Sequence, residues 1–275
     1  MGMSIRTNIS SIDAQRNLFG TETMLDSSMA KLSSGFRITK AGDDAAGLAI
    51  SSNLTAQIRS YNQAARNASD GQSVIQTGEA ALNETTNILT RLRELGMQSA
   101  TSSLSDTERS YIQDETTALT AEIDRIANST EFNGTKLLDG SATTLTFQIG
   151  IRNVAANDQI SFTTISATAG NLGVSGLSLS SKGAAPTALT TIDTAIETVS
   201  TARATLGAAG NRLASVASTI RSASESLSAA NSGIRDVNVA EETSNMSRAQ
   251  ILMQAGVSVL AQANQMPQLA LKLIG

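Results

Sequence analysis

Adjacent carboxylates at Asp43–Asp44 and Glu241–Glu242 are the groups in this sequence whose type and spacing could bind a metal or act as acid and base. Nothing beside them completes such a site. The chain has no histidine, which removes the usual general base, His-dependent triads and His-ligated zinc. It has no cysteine, which removes disulfides and thiolate metal sites. Adjacent acids far more often cap helix N-termini or stand as solvated charges, where the positive end of the helix dipole favours them. The expectation is no catalytic residue, no metal and no cofactor.

Composition points to long helices. Of the 275 residues 3% are aromatic and 16% charged, while 40% are hydrophobic. Large aromatics usually fill a globular core because each buries much apolar area. A chain without them has to pack through Ala, Leu and Ile instead. A net charge of −4, with no long basic run, makes nucleic acid an unfavoured partner. No apolar run approaches the length of a membrane span, and "MGMSIRTNIS" lacks the apolar core of a cleaved signal. The expected location is therefore the cytoplasm or, by a route needing no cleaved signal, the exterior.

Heptads carry the helical reading. Ile192, Val199, Leu206, Leu213, Ile220, Leu227 and Ile234 recur every seventh residue, with Ala195, Ala202, Ala209, Val216, Ala223, Ala230 and Val237 three positions after each. Alternation of large and small residues at 3 and 4 spacing makes a coiled-coil seam that a neighbouring helix can approach closely. A second series runs through Leu54, Tyr61, Ala68, Ile75, Leu82 and Leu89, with Ala64, Gly71, Gly78 and Leu92 beside it. Glycine inside a helix costs about 1 kcal/mol, so tight packing is the reason to keep it. A third helix begins at "SDTE", where Ser105 and Glu108 have capping-box spacing, and "NSTEFNG" stops it.

Between about 135 and 187 the period changes. "TLTFQIG" and "DQISFTTIS" alternate as half-buried strands do, with Gly150, Asn153, Asn157 and Asp158 supplying turns. "SATAGNLGVSGLSLSSKGAAP" reads as loop. At the start of the chain Ile5, Ile12 and Phe19 form one seven-residue series, and Leu18, Leu25 and Leu32 another. Near the end Met246, Met253 and Leu260 are flanked by Ala249, Gly256, Ala263 and Ala270, and Leu252, Val259, Met266 and Leu273 make a parallel stripe. Two adjacent stripes leave that helix apolar around much of its circumference, so another surface must cover it.

"LSSGFRITKAGDDAAGLAISSNL", "QAARNASDGQSVIQTGEAALNE" and "LTRLRELGMQSA" resemble the N-terminal region of bacterial flagellin, and "NMSRAQILMQAGVSVLAQANQMPQLALKLI" resembles its C-terminal region. The likeness covers roughly residues 1–140 and 188–275, in the family's order. It implies a mainly α fold: a long antiparallel coiled-coil helical rod with a small β-hairpin region, and terminal helices pairing in a separate inner domain. The implied domains are 1–42 as the N-terminal helix of the inner domain, 43–187 as rod helices plus the β-hairpin region, 188–236 as the return helix of the rod, and 237–275 as the C-terminal helix of the inner domain.

The resemblance implies a structural subunit that polymerises into the bacterial flagellar filament, secreted through the flagellum's own channel. The implied partners are further copies of itself, the flagellar export chaperone, and junction and cap proteins. Leu18, Leu25, Leu32, Met246, Met253 and Leu260 are the candidate subunit-packing residues. Gly42, Asp43 and Asp44, in "TKAGDD", are the candidate hinge. Arg91, Leu95, Gln98 and Glu115 match the surface by which a host Toll-like receptor recognises many flagellins; their primary role is assembly, with recognition a secondary property. Competing readings are a hook–filament junction protein and, from another class, a helical signalling module, which the strand region and the lack of a membrane span disfavour.

Overall fold

The computed structural model describes residues 7–141, 144–152 and 154–274, with side chains through Met266. Ile5 and Asn153, and the side chains of Ala270 and Leu273, lie outside the described residues. Among the described residues six helices and four short strands follow one another: α1 (Ile9–Ser34), α2 (Ala45–Ser99), α3 (Asp106–Ser129), β1 (Glu131–Phe132), β2 (Thr135–Lys136), β3 (Leu145–Gln148), α4 (Ala155–Asp158), β4 (Gln159–Phe162), α5 (Ala185–Arg235) and α6 (Val239–Ile274). The mainly helical architecture with a small antiparallel strand region is the one the sequence implies. The chain divides into two compact units, Met1–Ala56 with Ser226–Gly275, and Gln57–Glu225. Among the described residues no helix is long and apolar enough to cross a membrane.

In the Gln57–Glu225 unit α2 and α5 run antiparallel. A Cβ built on Gly71 would lie 3.0 Å from Leu213 and 3.2 Å from Phe147, so this glycine is kept for close approach. Gly78 is looser, with Leu206 at 3.6 Å. Ala64, Ala68, Ile75, Leu82, Leu89 and Leu92 of α2 are buried, as their heptad requires. Each fully buried leucine or isoleucine among them contributes about 1.5–3 kcal/mol.

On α5 the predicted seam holds from Ile192 through Leu213, then slips. Val216 and Ala223 are half-buried, while Ala217 and Ser224 are buried in their place. Ala209, Leu213 and Ala217 are thus spaced by two consecutive fours. A helix of 3.6 residues per turn drifts about 20° per heptad from a strict seven-residue repeat, and an extra step of four absorbs that drift.

Helix α3 starts at the expected capping box: Ser105 Oγ accepts from Glu108 N at 3.3 Å, and Glu108 Oε2 accepts from Ser105 N at 2.7 Å. The stop signal after it is a hairpin. Asn133 and Gly134, at φ 49° and 78°, turn β1 into β2. This is the Asn-Gly turn whose twist matches paired strands.

Strands β3 and β4 pair antiparallel, Leu145 opposite Phe162 and Gln148 opposite Gln159. Phe147 and Phe162 stack at 5.7 Å between ring centroids. The polar segment read as loop ends at 184, where α5 begins, and is packed rather than loose: Ala167, Ala169, Val174 and Leu179 are fully buried. Its backbone is tied to the helices, since Ala169 N donates to Asp124 Oδ1 at 2.7 Å, Leu179 N to Gln113 Oε1 at 2.6 Å, and Ser99 Oγ to the Leu179 carbonyl at 2.7 Å.

Candidate functional site

Three surfaces carry the functional expectations, and each is built by a different local rule. The first is the pairing of α1 with α6. On α1 the inward positions are Ser11, Ala14, Leu18, Thr21, Leu25, Ser28 and Leu32, spaced alternately by three and four, all buried or half-buried. Small residues among them let the helices approach closely: Leu18 Cδ1 lies 3.1 Å from where a Cβ on Gly256 would be. Two polar contacts fix the register, Ser11 Oγ to Asn264 Oδ1 at 2.8 Å and Asn8 Nδ2 to the Ala263 carbonyl at 2.8 Å.

Leu18, Leu25 and Leu32, with Met246, Met253 and Leu260 opposite, are therefore the half-buried to buried stripe within one chain. Left facing outward are residues of the other two series together with Ile251. Phe19 is 69% exposed, Ile12 55%, Ile251 66%, Leu252 48%, Val259 56% and Met266 50%. Scattered apolar residues on a surface are ordinary, but this many large exposed ones along one pair of helices make a surface that another body covers.

The second surface is the "TKAGDD" joint. Gly35 ends α1 in the left-handed region at φ 75°, its N–H returning to the Lys31 carbonyl at 2.9 Å. That is the common glycine-ended helix terminus. The segment after it is stapled to the α5–α6 connection. Arg37 N donates to the Arg235 carbonyl at 2.7 Å, Val237 N to the Gly35 carbonyl at 3.0 Å, and Arg37 Nη2 to the Ile234 carbonyl at 2.5 Å. The Arg235 guanidinium stacks over Phe36 at 4.2 Å.

Asp43 Oδ2 accepts from Thr39 Oγ1 at 2.9 Å, Thr39 N at 3.0 Å and Lys40 N at 3.1 Å. These bonds, the Thr39 hydroxyl foremost, hold its carboxyl below the usual value of 3.8. Asp44 Oδ1 accepts from Gly47 N at 2.8 Å, capping the start of α2. Gly42 has open space around its Cβ position and no left-handed φ, so its backbone makes no demand that only glycine meets. Gly35 and Arg37 were not singled out from the sequence. A glycine just past the last periodic residue, Leu32, was the available signal for the first; nothing local signals the second.

The third surface holds Arg91, Leu95, Gln98 and Glu115, which the structure separates. Arg91 Nε donates to Glu115 Oε1 at 2.9 Å and Nη1 to Glu94 Oε2 at 3.0 Å. Its guanidinium pKa is raised, first by the Glu94 bond and then by Glu115. Gln98 is exposed. Leu95 is 1% exposed and packs with Ile112, Leu179, Ala185 and Ala188. It cannot be a surface contact in this fold, because its side chain fills the core between α2, α3 and α5. The candidate receptor-facing set narrows to Arg91, Gln98 and Glu115.

Glu241 and Glu242 stand in the first turn of α6, where the helix dipole favours them. Among the described residues no group of three or more Asp, Glu, His or Cys is placed to hold a metal.

Residues 5–143 match the bacterial flagellin N-terminal helical region, and residues 189–274 match the bacterial flagellin C-terminal helical region. The flagellin of Halalkalibacterium halodurans is 41% identical over 272 residues, covering 99% of this chain and 100% of that protein. The flagellar filament 33 kDa core protein of Treponema phagedenis is 43% identical over 285 residues, with the same shares. Flagellin D of Vibrio cholerae is 52% identical over 153 residues, 56% of this chain but only 41% of that longer protein.

Among solved structures, the crystal structure of Bacillus cereus flagellin aligns with a TM-score of 0.51 at 33% identity, covering 56% of this chain and 88% of that one. A hook-associated protein from Vibrio parahaemolyticus aligns with a TM-score of 0.60 at 15% identity, covering 70% of this chain and 100% of that one, a likeness of fold alone.

Proposed function

This chain belongs to the bacterial flagellin family, and from that premise we propose that it polymerises with copies of itself into the bacterial flagellar filament, outside the cell, where the filament serves motility. The observation that carries the reading is the set of exposed large apolar side chains on the α1–α6 pair. Phe19 at 69% and Ile251 at 66% exposure sit on helices that already bury their other face against each other. Burying such side chains against further copies returns about 25 cal/mol per Å² of apolar area. A head-to-tail contact between unlike surfaces that does not close into a ring propagates as a helix.

The family's structural role assigns no chemistry to the acidic pairs. The export chaperone would bind the Met-rich stripe of α6 before assembly, since unbranched thioethers adapt to different partners. Junction and cap proteins would meet the ends of the polymer, and a host Toll-like receptor would meet Arg91, Gln98 and Glu115. "TKAGDD" would set how neighbouring copies pack. The hook–filament junction reading has only fold-level likeness behind it, from a neighbour at 15% identity, against relatives named as flagellin at 41% over their whole length.

Purified chain mixed with short filament seeds and viewed by electron microscopy tests the proposal. Long tubes growing from the seeds are expected. Phe19→Ser with Ile251→Ser should keep the helix content by circular dichroism yet remain monomeric. Growth of that double variant at the unmodified rate would remove these side chains from the mechanism.

A further inference from the structure

Glycine inside a helix is disfavoured because it has the most backbone freedom to lose, so each such glycine calls for a reason. For three of them the chain itself supplies one. A Cβ on Gly71, Gly96 or Gly256 would lie 3.0 Å from Leu213, 2.9 Å from Leu189 or 3.1 Å from Leu18, respectively. In each case a leucine of the facing helix sits over the glycine, and the missing Cβ is what admits it.

Gly20, in the middle of α1, has no such neighbour. It is exposed, and nothing lies within 4 Å of where its Cβ would be. Its φ is not left-handed either. Neither packing nor backbone conformation within the chain asks for glycine there.

Gly207 and Gly233 of α5 are equally open, but among the described residues α5 exposes no large apolar side chain. Around Gly20, α1 does. Phe19 precedes it and Met24 stands one turn on, both exposed. Helical side chains lean toward the N-terminus, so Thr23 and Met24 lean toward Gly20 without filling the space over it. Thr23 donates its hydroxyl to the Phe19 carbonyl at 2.9 Å, which leaves its methyl on this rim. On the other side stand Asn17 and Arg16, the latter held to Asp13 at 3.2 Å. Gly20 is thus a shallow notch with an apolar rim on its C-terminal side.

We propose that Gly20 is a point of close approach between copies: a helix of a second copy of this chain seats a large aliphatic side chain over it, as Leu18 sits over Gly256 within one chain. This rests on the filament reading and adds one specific contact to it. A second copy is the occupant because the notch continues the exposed apolar surface that the filament reading covers with further copies.

Gly20→Ala tests the contact by sign. Alanine is the better helix former, so the unfolding midpoint of the monomer should rise by about 2–4 °C. Without an outside contact the same change would leave growth from seeds unaltered or ease it. With the contact, the added methyl meets the seated side chain, and the critical concentration for growth should rise about tenfold. Gly20→Leu should abolish growth while keeping the helix content by circular dichroism.

Gly207→Ala carries the same gain in helix propensity without the apolar rim, and should leave the critical concentration where it was. A Gly20→Ala chain that grows at or below the parental critical concentration overturns the contact and leaves the filament reading standing. So does a Gly207→Ala chain that loses as much, and a lowered monomer midpoint for Gly20→Ala would place the constraint inside the chain instead. An unmodified chain that forms no filaments overturns both readings.

Discussion

Arg109 Nε donates to the Ser99 carbonyl at 3.0 Å, joining the first turn of α3 to the last residue of α2. The same guanidinium reaches the Thr101 and Leu104 carbonyls, both at 2.7 Å. Its side chain is 5% exposed, so one arginine serves the carbonyls with which α2 and the following turn end. The planar fork is what allows three carbonyls to share one side chain.

Arg109→Met should therefore destabilise the chain by about 1–3 kcal/mol, mostly from the orphaned Ser99 carbonyl. Arg109→Lys should recover only part of that loss, because a single ammonium cannot span the three acceptors. Urea unfolding midpoints at constant slope would read both; equal stability of the lysine variant and the parent would show the fork to be unnecessary.

Leu95 and Arg91 should separate cleanly. Leu95→Ala removes a side chain that is 1% exposed and should cost about 2–5 kcal/mol of stability. Arg91→Ala leaves the thermal midpoint essentially unmoved, since its partners Glu94 and Glu115 are themselves exposed. If receptor signalling depends on this surface, Arg91→Ala with Glu115→Ala weakens it in a chain that is still fully folded. Intact signalling by that double variant would remove the receptor from the list of partners.

At the joint, the demanding glycine is Gly35 rather than Gly42. Gly35→Ala forces an alanine into the left-handed region and should cost about 1–2 kcal/mol. Gly42→Ala meets open space and should leave monomer stability unchanged. Filament shape is then the decisive readout: a Gly42→Ala filament indistinguishable from the parent by electron microscopy, with unchanged swimming, would withdraw the hinge role.

Acid should loosen the same joint. The Asp43 carboxyl is held below its ordinary value of 3.8 by the Thr39 hydroxyl and the Thr39 and Lys40 amides. A lowered native value means that its stabilisation is full above that ordinary value and is lost as pH falls through the native one. Asp43→Asn, which cannot titrate, should flatten this part of the acid limb, so the two stability curves converge below about pH 4. Parallel curves from neutral pH to the acid transition would show that Asp43 takes no part.

Much of the fold was legible because it follows short-range rules. The heptads at 192–213 and 64–92 named the buried seam residues, since a helix facing one partner must repeat its apolar positions every three or four residues. The Ser105–Glu108 box marked the start of α3 to the residue, because both bonds close within four residues. The β1–β2 hairpin was equally local, and its Asn133-Gly134 signal was present although it reads at first as a helix stop.

What the sequence alone determined, then, was the set of helices, their apolar stripes and the likeness at both ends of the chain. The tertiary structure decided which stripe faces inward. Leu18 and Phe19 are adjacent and both apolar, and only the pairing of α1 with α6 turns one to Gly256 and leaves the other outside. It decided likewise that Leu95 is core while Arg91 and Gln98 on α2 are surface, and that Arg109 is a buried cap. Each of these depends on groups brought together from distant parts of the chain or across a turn, and a periodic pattern fixes a residue's side of a helix without saying what lies there.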